Sequence, residues 1–261
     1  MKLLVQSDDY GITEAQARGA IQAITEGIVR NTGLFSNMPW APRCVEWIRP
    51  YLDQIAFGLD LNMSTGPALL SRQEIPSLVQ ENGQFLTSSM NRALDTDEND
   101  HDHVVYEEAY REFEAQILRF IELVGRKPDY LHGHAYGTKT TSRVSRDLAA
   151  KYGLPYSMAI GEDPRMTSGG MGWYQFPPTL ENQLKSDLTD FILKDQNGYL
   201  GKEYGMLITH CGYVEACLFG LSSFTLYRAK DLEGVTDEKV KQWVKDNQVE
   251  LITYKDLEGW Y

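Results

Sequence analysis

The chain has 261 residues, a formal net charge of −12 and three cysteines. A chain of this length can bury a core that needs no disulfide bonds, and an odd number of cysteines fits a reducing compartment. The acidic charge disfavours nucleic acid and anionic lipid as partners. No apolar run approaches the ~20 residues of a membrane span, and no signal-peptide pattern follows Met1. We therefore expect a cytoplasmic protein.

Short apolar runs alternate with amphipathic segments in the first part of the chain. We predict strands over residues 2–6, 33–37 and 55–62, and helices over 13–26 and 41–51. Thr13 is placed to cap the first helix and Gly27 to end it. Residues 69–102 are polar and rich in Ser, Asn and Asp, which predicts a long functional loop or lid.

The same alternation continues to the end of the sequence. The predicted helices span 104–124, 142–152, 180–193 and 236–247, and the predicted strands 129–132, 154–159, 205–209 and 250–253. A second long loop is expected over 161–178. No repeat or linker divides the chain, so we predict a single domain over 1–261 with an α/β fold. The expected architecture is one (β/α) barrel of TIM type, regular or distorted, with long loops at the carboxyl ends of the strands.

Polar residues collect where these strands end. They are Asp8 and Asp9, Asp60 and Asn62, His132 and His134, and His210. In parallel α/β folds the carboxyl ends of the strands share one face, so we expect these side chains to converge. If Asp8 and Asp9 share a site, their repulsion favours one binding a metal while the other serves as a base. The alternative is that Asp8 forms a turn or that Asp9 caps the following helix.

Asp60 and the two histidines extend this pattern. Asp60 lies between Leu59 and Leu61, and a buried lone carboxylate is costly unless it is paired or binds a metal, although a hydrogen-bonded structural Asp is the alternative. His132 and His134 are two apart in a strand and face the same side, as two ligands or as one ligand and its supporting group. His101 and His103, in the polar segment, are predicted to be solvated.

The predicted ligand set is Asp9, Asp60 and His134, with His132 as a supporting or alternative ligand. Three ligands rich in oxygen suit one divalent cation, Mg²⁺ first and Zn²⁺ or Mn²⁺ as alternatives, with open positions for water and substrate.

Taken in order, the motifs resemble those of the YdjC-like carbohydrate deacetylases, whose best-understood members are chitooligosaccharide deacetylases. The resemblance covers essentially the whole chain. The segments that carry it are Ser7-Asp8-Asp9-Tyr10-Gly11, Gly27-Ile28-Val29 with Asn37, Gly58-Leu59-Asp60-Leu61-Asn62, Phe120 to Pro128, His132-Gly133-His134, His210-Cys211-Gly212-Tyr213, and Ser222-Ser223 with Arg228.

This resemblance implies a barrel fold, a divalent metal and hydrolysis of an N-acetyl group on a sugar. By position, Asp9 and His134 would be metal ligands, Asp8 the general base, and His210 the acid or oxyanion stabiliser. Asn62, Trp173, Tyr174 and Arg228 are the predicted substrate-binding residues. Trp173, Tyr174 and Phe176 could stack on sugar faces, with plain packing as the alternative.

Two positions depart from the family pattern. The third strand usually carries a His where this chain has Asp60, and the later motif usually carries an Asp where it has His132. We hypothesise that the two positions are neighbours that have exchanged roles, which keeps one carboxylate and one imidazole near the metal. The alternative is a weakened site, which Cys211, Ala135 and Tyr136 also favour because they replace a Pro and two His of the pattern.

The predicted partner is a small N-acetylated oligosaccharide, and a homodimer is left open. Two other functions remain as alternatives. One is a metal-dependent hydrolase of glycosidic or phosphorylated sugars on the same fold, and the other is a catalytically weakened, sugar-binding descendant.

Overall fold

The computed structural model describes residues 1–96, 102–257 and 259–261. Within them seven strands form one sheet. The strands are β1 (Lys2–Tyr10), β2 (Asn31–Leu34), β3 (Ala56–Leu61), β4 (Leu131–Gly133), β5 (Met166–Ser168), β6 (Tyr204–Thr209) and β7 (Glu250–Ile252). Six of them follow the order β4-β3-β2-β1-β6-β5, β7 pairs with β1 outside this order, and all the pairings are parallel.

The first strand lies at the centre of the sheet. β6 pairs with residues 2–7 of β1 along one edge. On the other edge β7 pairs with residues 2–4, and β2 pairs with the residues beyond them. The pairing with β2 is irregular between Ser7 and Tyr10, so β1 carries a bulge over its two aspartates.

Ten α-helices are found among the described residues. They are α1 (Glu14–Thr25), α2 (Ala41–Ile48), α3 (Ser88–Leu94), α4 (Tyr106–Val124), α5 (Lys139–Tyr152), α6 (Ser157–Glu162), α7 (Leu180–Leu184), α8 (Leu188–Leu193), α9 (Leu226–Thr236) and α10 (Glu238–Asp246). As predicted, Thr13 caps α1, with its side chain accepting the N–H of Gln16. None of these helices has the length and apolar character needed to cross a membrane.

The predicted α/β class and parallel sheet are confirmed, and the sheet is an open, partial barrel. A closed eight-stranded barrel is not found in the described residues, because β4 and β5 end the strand order without pairing with each other. The strand predicted over 154–159 would have extended the sheet beyond β4. Instead, only Tyr156 forms a single bridge to Leu131, and α6 begins at Ser157.

Other elements also differ from the predictions. β1 continues to Tyr10, so both aspartates belong to the strand. The predicted helix over 180–193 is two short helices, because Asp187 caps a new one. β5 lies in the loop predicted over 161–178, and α9 was not predicted.

The segment predicted as a lid is packed onto α4. Buried residues Ile75, Leu78 and Phe85 anchor it in the core. The carboxylate of Glu112 on α4 accepts the backbone N–H groups of residues 69 and 70, and the segment also contains α3. His103 is not simply solvated, because it is partly buried and its ring contacts Asn91 at 2.8 Å. His101 lies outside the described residues.

Candidate functional site

The predicted residues meet at the carboxyl ends of the central strands. Asp8 and Asp9 are near the end of β1, Asp60 is in β3, His132 is in β4, and His134 and His210 follow β4 and β6. Because the strands are parallel, these ends lie at one edge of the sheet. The side chains are largely buried, and His210 is the most exposed of the three histidines, at 17%.

Asp8 lies between two imidazoles. Its Oδ2 is 3.0 Å from Nε2 of His132 and 4.0 Å from Nε2 of His210, and its Oδ1 accepts a hydrogen bond from Gln6. The other ring nitrogen of His132 is 2.6 Å from Oγ of Ser157, so the ring is fixed at both ends. Burial raises the pKa of Asp8, but His132 and His210 outweigh it, so the pKa falls below its usual value and the carboxylate is ionised at neutral pH.

Burial lowers the pKa of His132, but the charge of Asp8 more than offsets this and raises it to about 9. His132 is therefore a cation at neutral pH and donates from both ring nitrogens. For His210 burial dominates and lowers the pKa, which leaves this imidazole neutral at the same pH.

Asp9 forms a second, separate pair of contacts. Its Oδ1 is 2.7 Å from Nδ1 of His134, and its Oδ2 is 2.6 Å from Nη2 of Arg228. Burial raises the pKa of Asp9, but His134 and Arg228 outweigh it and hold the pKa well below its usual value. Asp9 also has a φ of +67°, in the left-handed region that residues other than glycine rarely adopt.

Asp60 reaches toward Asp9 from β3. Its Oδ2 accepts the backbone N–H of Asp9 at 2.6 Å, and its Oδ1 has no hydrogen-bond partner in the described part of the chain. Burial and the nearby charge of Asp8 raise the pKa of Asp60 well above its usual value. Asp60 and His132 are direct partners in the register of β3 and β4, so the predicted neighbourhood of the two positions is confirmed.

A buried aspartate supports His210 through hydrogen bonds to its backbone and to Tyr174, which contacts its ring. Asp231, on α9, accepts hydrogen bonds from the backbone N–H of His210, from the hydroxyl of Tyr174 and from Nε1 of Trp173. The Tyr174 hydroxyl is also 3.1 Å from Nδ1 of His210. Since the hydroxyl has one proton and donates it to Asp231, its oxygen accepts from Nδ1–H of His210. Nε2 of the neutral ring therefore carries the lone pair on the side of Asp8.

Asp231 should leave a pH signature in stability. Burial raises its pKa to about 6, against an ordinary 3.8, so the folded chain binds more protons than the unfolded chain between these values. The unfolding free energy should thus fall as pH rises through this window, by about 3 kcal/mol at most. In urea denaturation, the stability difference between the parent protein and Asp231→Asn should shrink by that amount from pH 4 to pH 7. An unchanged difference would contradict the assignment.

The predicted substrate-binding residues are buried. Trp173 and Tyr174 are each 5% exposed and bind Asp231, so in this conformation neither offers a face to a sugar, and the packing alternative holds. Asn62 is fully buried, and its side chain bonds the backbone of Ser64 and Thr65. Arg228 is fully buried against Asp9.

An exposed aromatic side chain lies on the same loop as the two buried ones. Phe176 is 58% exposed and packs against Phe224, whose ring centroid lies 5.2 Å from that of His210. Of the three aromatic residues predicted to stack on a sugar, Phe176 is the one exposed enough to do so in this conformation.

The donor atoms near Asp9 match only part of the predicted metal site. Across residues 1–96, 102–257 and 259–261 there is no group of three or more His, Cys, Asp or Glu side chains arranged to hold a metal ion, so the predicted three-ligand set is not assembled. Two members of this set, Asp9 and His134, do place donor atoms where a cation could bind. Oδ1 of Asp9 is buried and lacks a hydrogen bond from any described residue, although Nδ1 of His134 is 2.7 Å away.

Oδ1 of Asp9 and Nδ1 of His134 thus approach closely without good hydrogen-bond geometry. Nε2 of His134 lies 3.2 Å from the hydroxyl of Thr65, which can fix the proton on that nitrogen and leave Nδ1 free. An Asp oxygen and a His nitrogen that converge in this way suit a divalent cation once Nδ1 carries no proton. Mg²⁺ commonly takes only one or two protein ligands and completes its shell with water.

Sequence reasoning missed Asp231 and Ser157, which support the two histidines. Asp231 had a signal, because Arg228, Asp231, Leu232 and Val235 share one face of a helix by their spacing. Ser157 had none, since its role depends on α6 beginning where a strand was expected.

Known proteins resemble the chain over almost its full length. It is 28% identical to carbohydrate deacetylase 2 of Listeria innocua, covering 98% of this chain and 99% of that protein. It is 28% identical to a carbohydrate deacetylase of Enterococcus faecalis, with 98% of each covered. A crystal structure of an Enterococcus faecalis protein named for cleavage of cellobiose phosphate matches with a TM-score of 0.78 and 25% identity, over 98% of both chains.

A more distant structure shares the fold alone. The peptidoglycan deacetylase PdaC of Bacillus subtilis matches with a TM-score of 0.50 and 11% identity, over 99% of this chain and 90% of that one. The model of the YdjC-like protein family matches residues 2–246. The sequence motifs, the open parallel sheet and this match together show that the chain belongs to the YdjC-like family.

Proposed function

We propose that the protein removes N-acetyl groups from amino-sugar oligosaccharides with the help of one divalent cation. The observation that carries the proposal is the ionised, buried Asp8 beside His210, next to the converging donor atoms of Asp9 and His134. The curated relatives described above are named carbohydrate deacetylases, which supports the reaction and the substrate class.

The cation, Mg²⁺ first and Zn²⁺ or Mn²⁺ as alternatives, would be held by Asp9 and His134. When bound it supplies a Lewis acid that polarises the amide carbonyl and a water molecule. Arg228 holds Asp9 in place through its other oxygen and keeps its pKa low, so the carboxylate stays ionised and free to bind a cation.

Asp8 is the general base. It is ionised at neutral pH, and its hydrogen bonds to Gln6 and His132 fix the carboxylate so that little reorganisation precedes proton transfer. The charge of His132 lowers the pKa of Asp8 without blocking access from the side of His210.

His210 is the proton donor to the leaving amine. Its neutral ring presents a lone pair on Nε2, 4.0 Å from Oδ2 of Asp8, so a proton taken from water can pass to it within the site. Tyr174 and Asp231 fix the ring orientation, and a protonated Nε2 can then stabilise the developing oxyanion or protonate the nitrogen.

Acetate release from N-acetylated chitooligosaccharides tests this function. We expect turnover that is lost after treatment with a chelator and restored by Mg²⁺ or another divalent cation. His134→Ala should lower cation affinity, measured directly with Mn²⁺, and turnover together. Release of phosphate or of a shortened sugar without acetate would instead support another hydrolase. Tight sugar binding without any product would support a sugar-binding descendant.

A further inference from the structure

We propose that Asp60 is a positioning residue that reaches across β2 to hold the backbone of Asp9, and that it does not ligate the cation. The inference draws on the proposed function only for its consequence for metal binding. Three features support it: the Asp60 side chain crosses β2, it accepts the backbone N–H of Asp9, and Gly33 has no side chain in its path.

The bulge in β1 creates the need for such a residue. β1 and β2 pair regularly at Gln6 and Ser7 and again at Tyr10, but the register shifts between them. The backbone N–H of Asp9 therefore donates to the Oδ2 of Asp60 at 2.6 Å instead of to a strand carbonyl. This hydrogen bond helps to offset the cost of holding an aspartate in the left-handed region.

Gly33 makes this reach possible. β2 separates β3 from β1, so the Asp60 carboxylate must pass over the β2 backbone. A Cβ added at Gly33 would lie 1.8 Å from Oδ1 and 2.4 Å from Cγ of Asp60. The carboxylate therefore occupies the space where any other residue at position 33 would place its side chain.

The fold positions both oxygens of Asp60, although Oδ1 makes no hydrogen bond to any described residue. Oδ2 binds Asp9, and Oδ1 is packed on Gly33. The backbone conformation that Asp60 stabilises sets the direction of the Asp9 side chain, whose Oδ1 approaches His134. Asp60 would then act on the cation only through Asp9, and the cation would have two protein ligands.

Two readouts test the proposal, and the first does not involve metal. In metal-free protein, hydrogen exchange of the Asp9 amide, followed by NMR, should be slow in the parent protein and in Asp60→Asn, which keeps an acceptor oxygen. It should be at least tenfold faster in Asp60→Ala and in Gly33→Ala. Gly137→Ala is the matched control, because a Cβ there meets no atom within 4 Å. An unchanged Asp9 amide in both Asp60→Ala and Gly33→Ala would overturn the proposal.

The second readout is the affinity for Mn²⁺ alone, measured as free Mn²⁺ by EPR. We expect Asp60→Asn to stay within about threefold of the parent protein, and Gly33→Ala to bind roughly 10–100-fold more weakly, as for other residues that support a ligand. His134→Ala is the reference for loss of a true ligand. If Asp60→Asn loses as much affinity as His134→Ala, Asp60 is a ligand and the proposal fails. If the parent protein binds no Mn²⁺, the proposed function fails, while the amide measurement still decides the role of Asp60.

Discussion

Asp8→Asn should lower the kcat for acetate release by roughly 10²–10⁴-fold, the usual contribution of a general base. The amide cannot accept the proton of the attacking water, yet it keeps the size of the carboxylate and one oxygen for the hydrogen bond from Gln6. Mn²⁺ affinity should stay within a few-fold of the parent protein, because the converging donor atoms belong to Asp9 and His134. Steady-state kinetics and a Mn²⁺ isotherm measure the two quantities.

The matched control is Asp53→Asn, at an exposed position that precedes β3 and so lies away from the carboxyl ends of the strands, which should leave both values unchanged. Loss of Mn²⁺ affinity in Asp8→Asn would make Asp8 a ligand and move the role of the base to another group. Full activity in Asp8→Asn would remove it from the chemistry.

Arg228→Met should lower the unfolding free energy of the metal-free protein by about 3–5 kcal/mol, the typical effect of removing one partner of a buried ion pair. Both side chains are almost completely buried, and the guanidinium is 2.6 Å from the carboxylate of Asp9. Without Arg228 the charge of Asp9 loses a buried counterion. Urea denaturation at pH 7 measures the effect.

The same substitution at an exposed ion pair is the control. Arg43 is 2.8 Å from Glu14, but its side chain is 66% exposed, so Arg43→Met should cost less than about 1 kcal/mol. Adding Asp9→Asn to Arg228→Met should recover part of the loss, because it removes the unpaired charge. A loss for Arg228→Met as small as that for Arg43→Met would show that the buried pair is not coupled as described.

The convergence of the site could be predicted from sequence because one rule governs it. Parallel strands bring their carboxyl ends to one edge, and this places Asp8 beside His132 and Asp9 beside His134, although more than 120 residues separate the members of each pair. Strand alternation likewise put Asp60 on the face that it shares with its neighbour in register, His132.

The partners of each side chain could not be predicted in this way. The spacing of Asp231 places it on the buried face of α9, but no sequence pattern shows that its three hydrogen bonds draw Trp173 and Tyr174 into the core and away from a substrate. Asn62 follows β3, where a substrate-binding residue is expected. Its side-chain oxygen instead accepts hydrogen bonds from the backbone of Ser64 and Thr65 in the next turn. Such outcomes depend on which buried backbone and side-chain groups need partners, and a single sequence does not encode that in any short pattern.

The position of β1 in the sheet has a consequence for folding. The strand that carries both aspartates is made well before two of its partners, residues 204–209 and 250–252, so its contacts close some of the longest loops in the molecule. Contacts this distant in sequence slow folding. During synthesis β1 has β2 as its only neighbouring strand among those described until β6 leaves the ribosome. We expect Asp8 and Asp9 to be enclosed late, which makes β1 the segment most exposed to misassociation in the nascent chain.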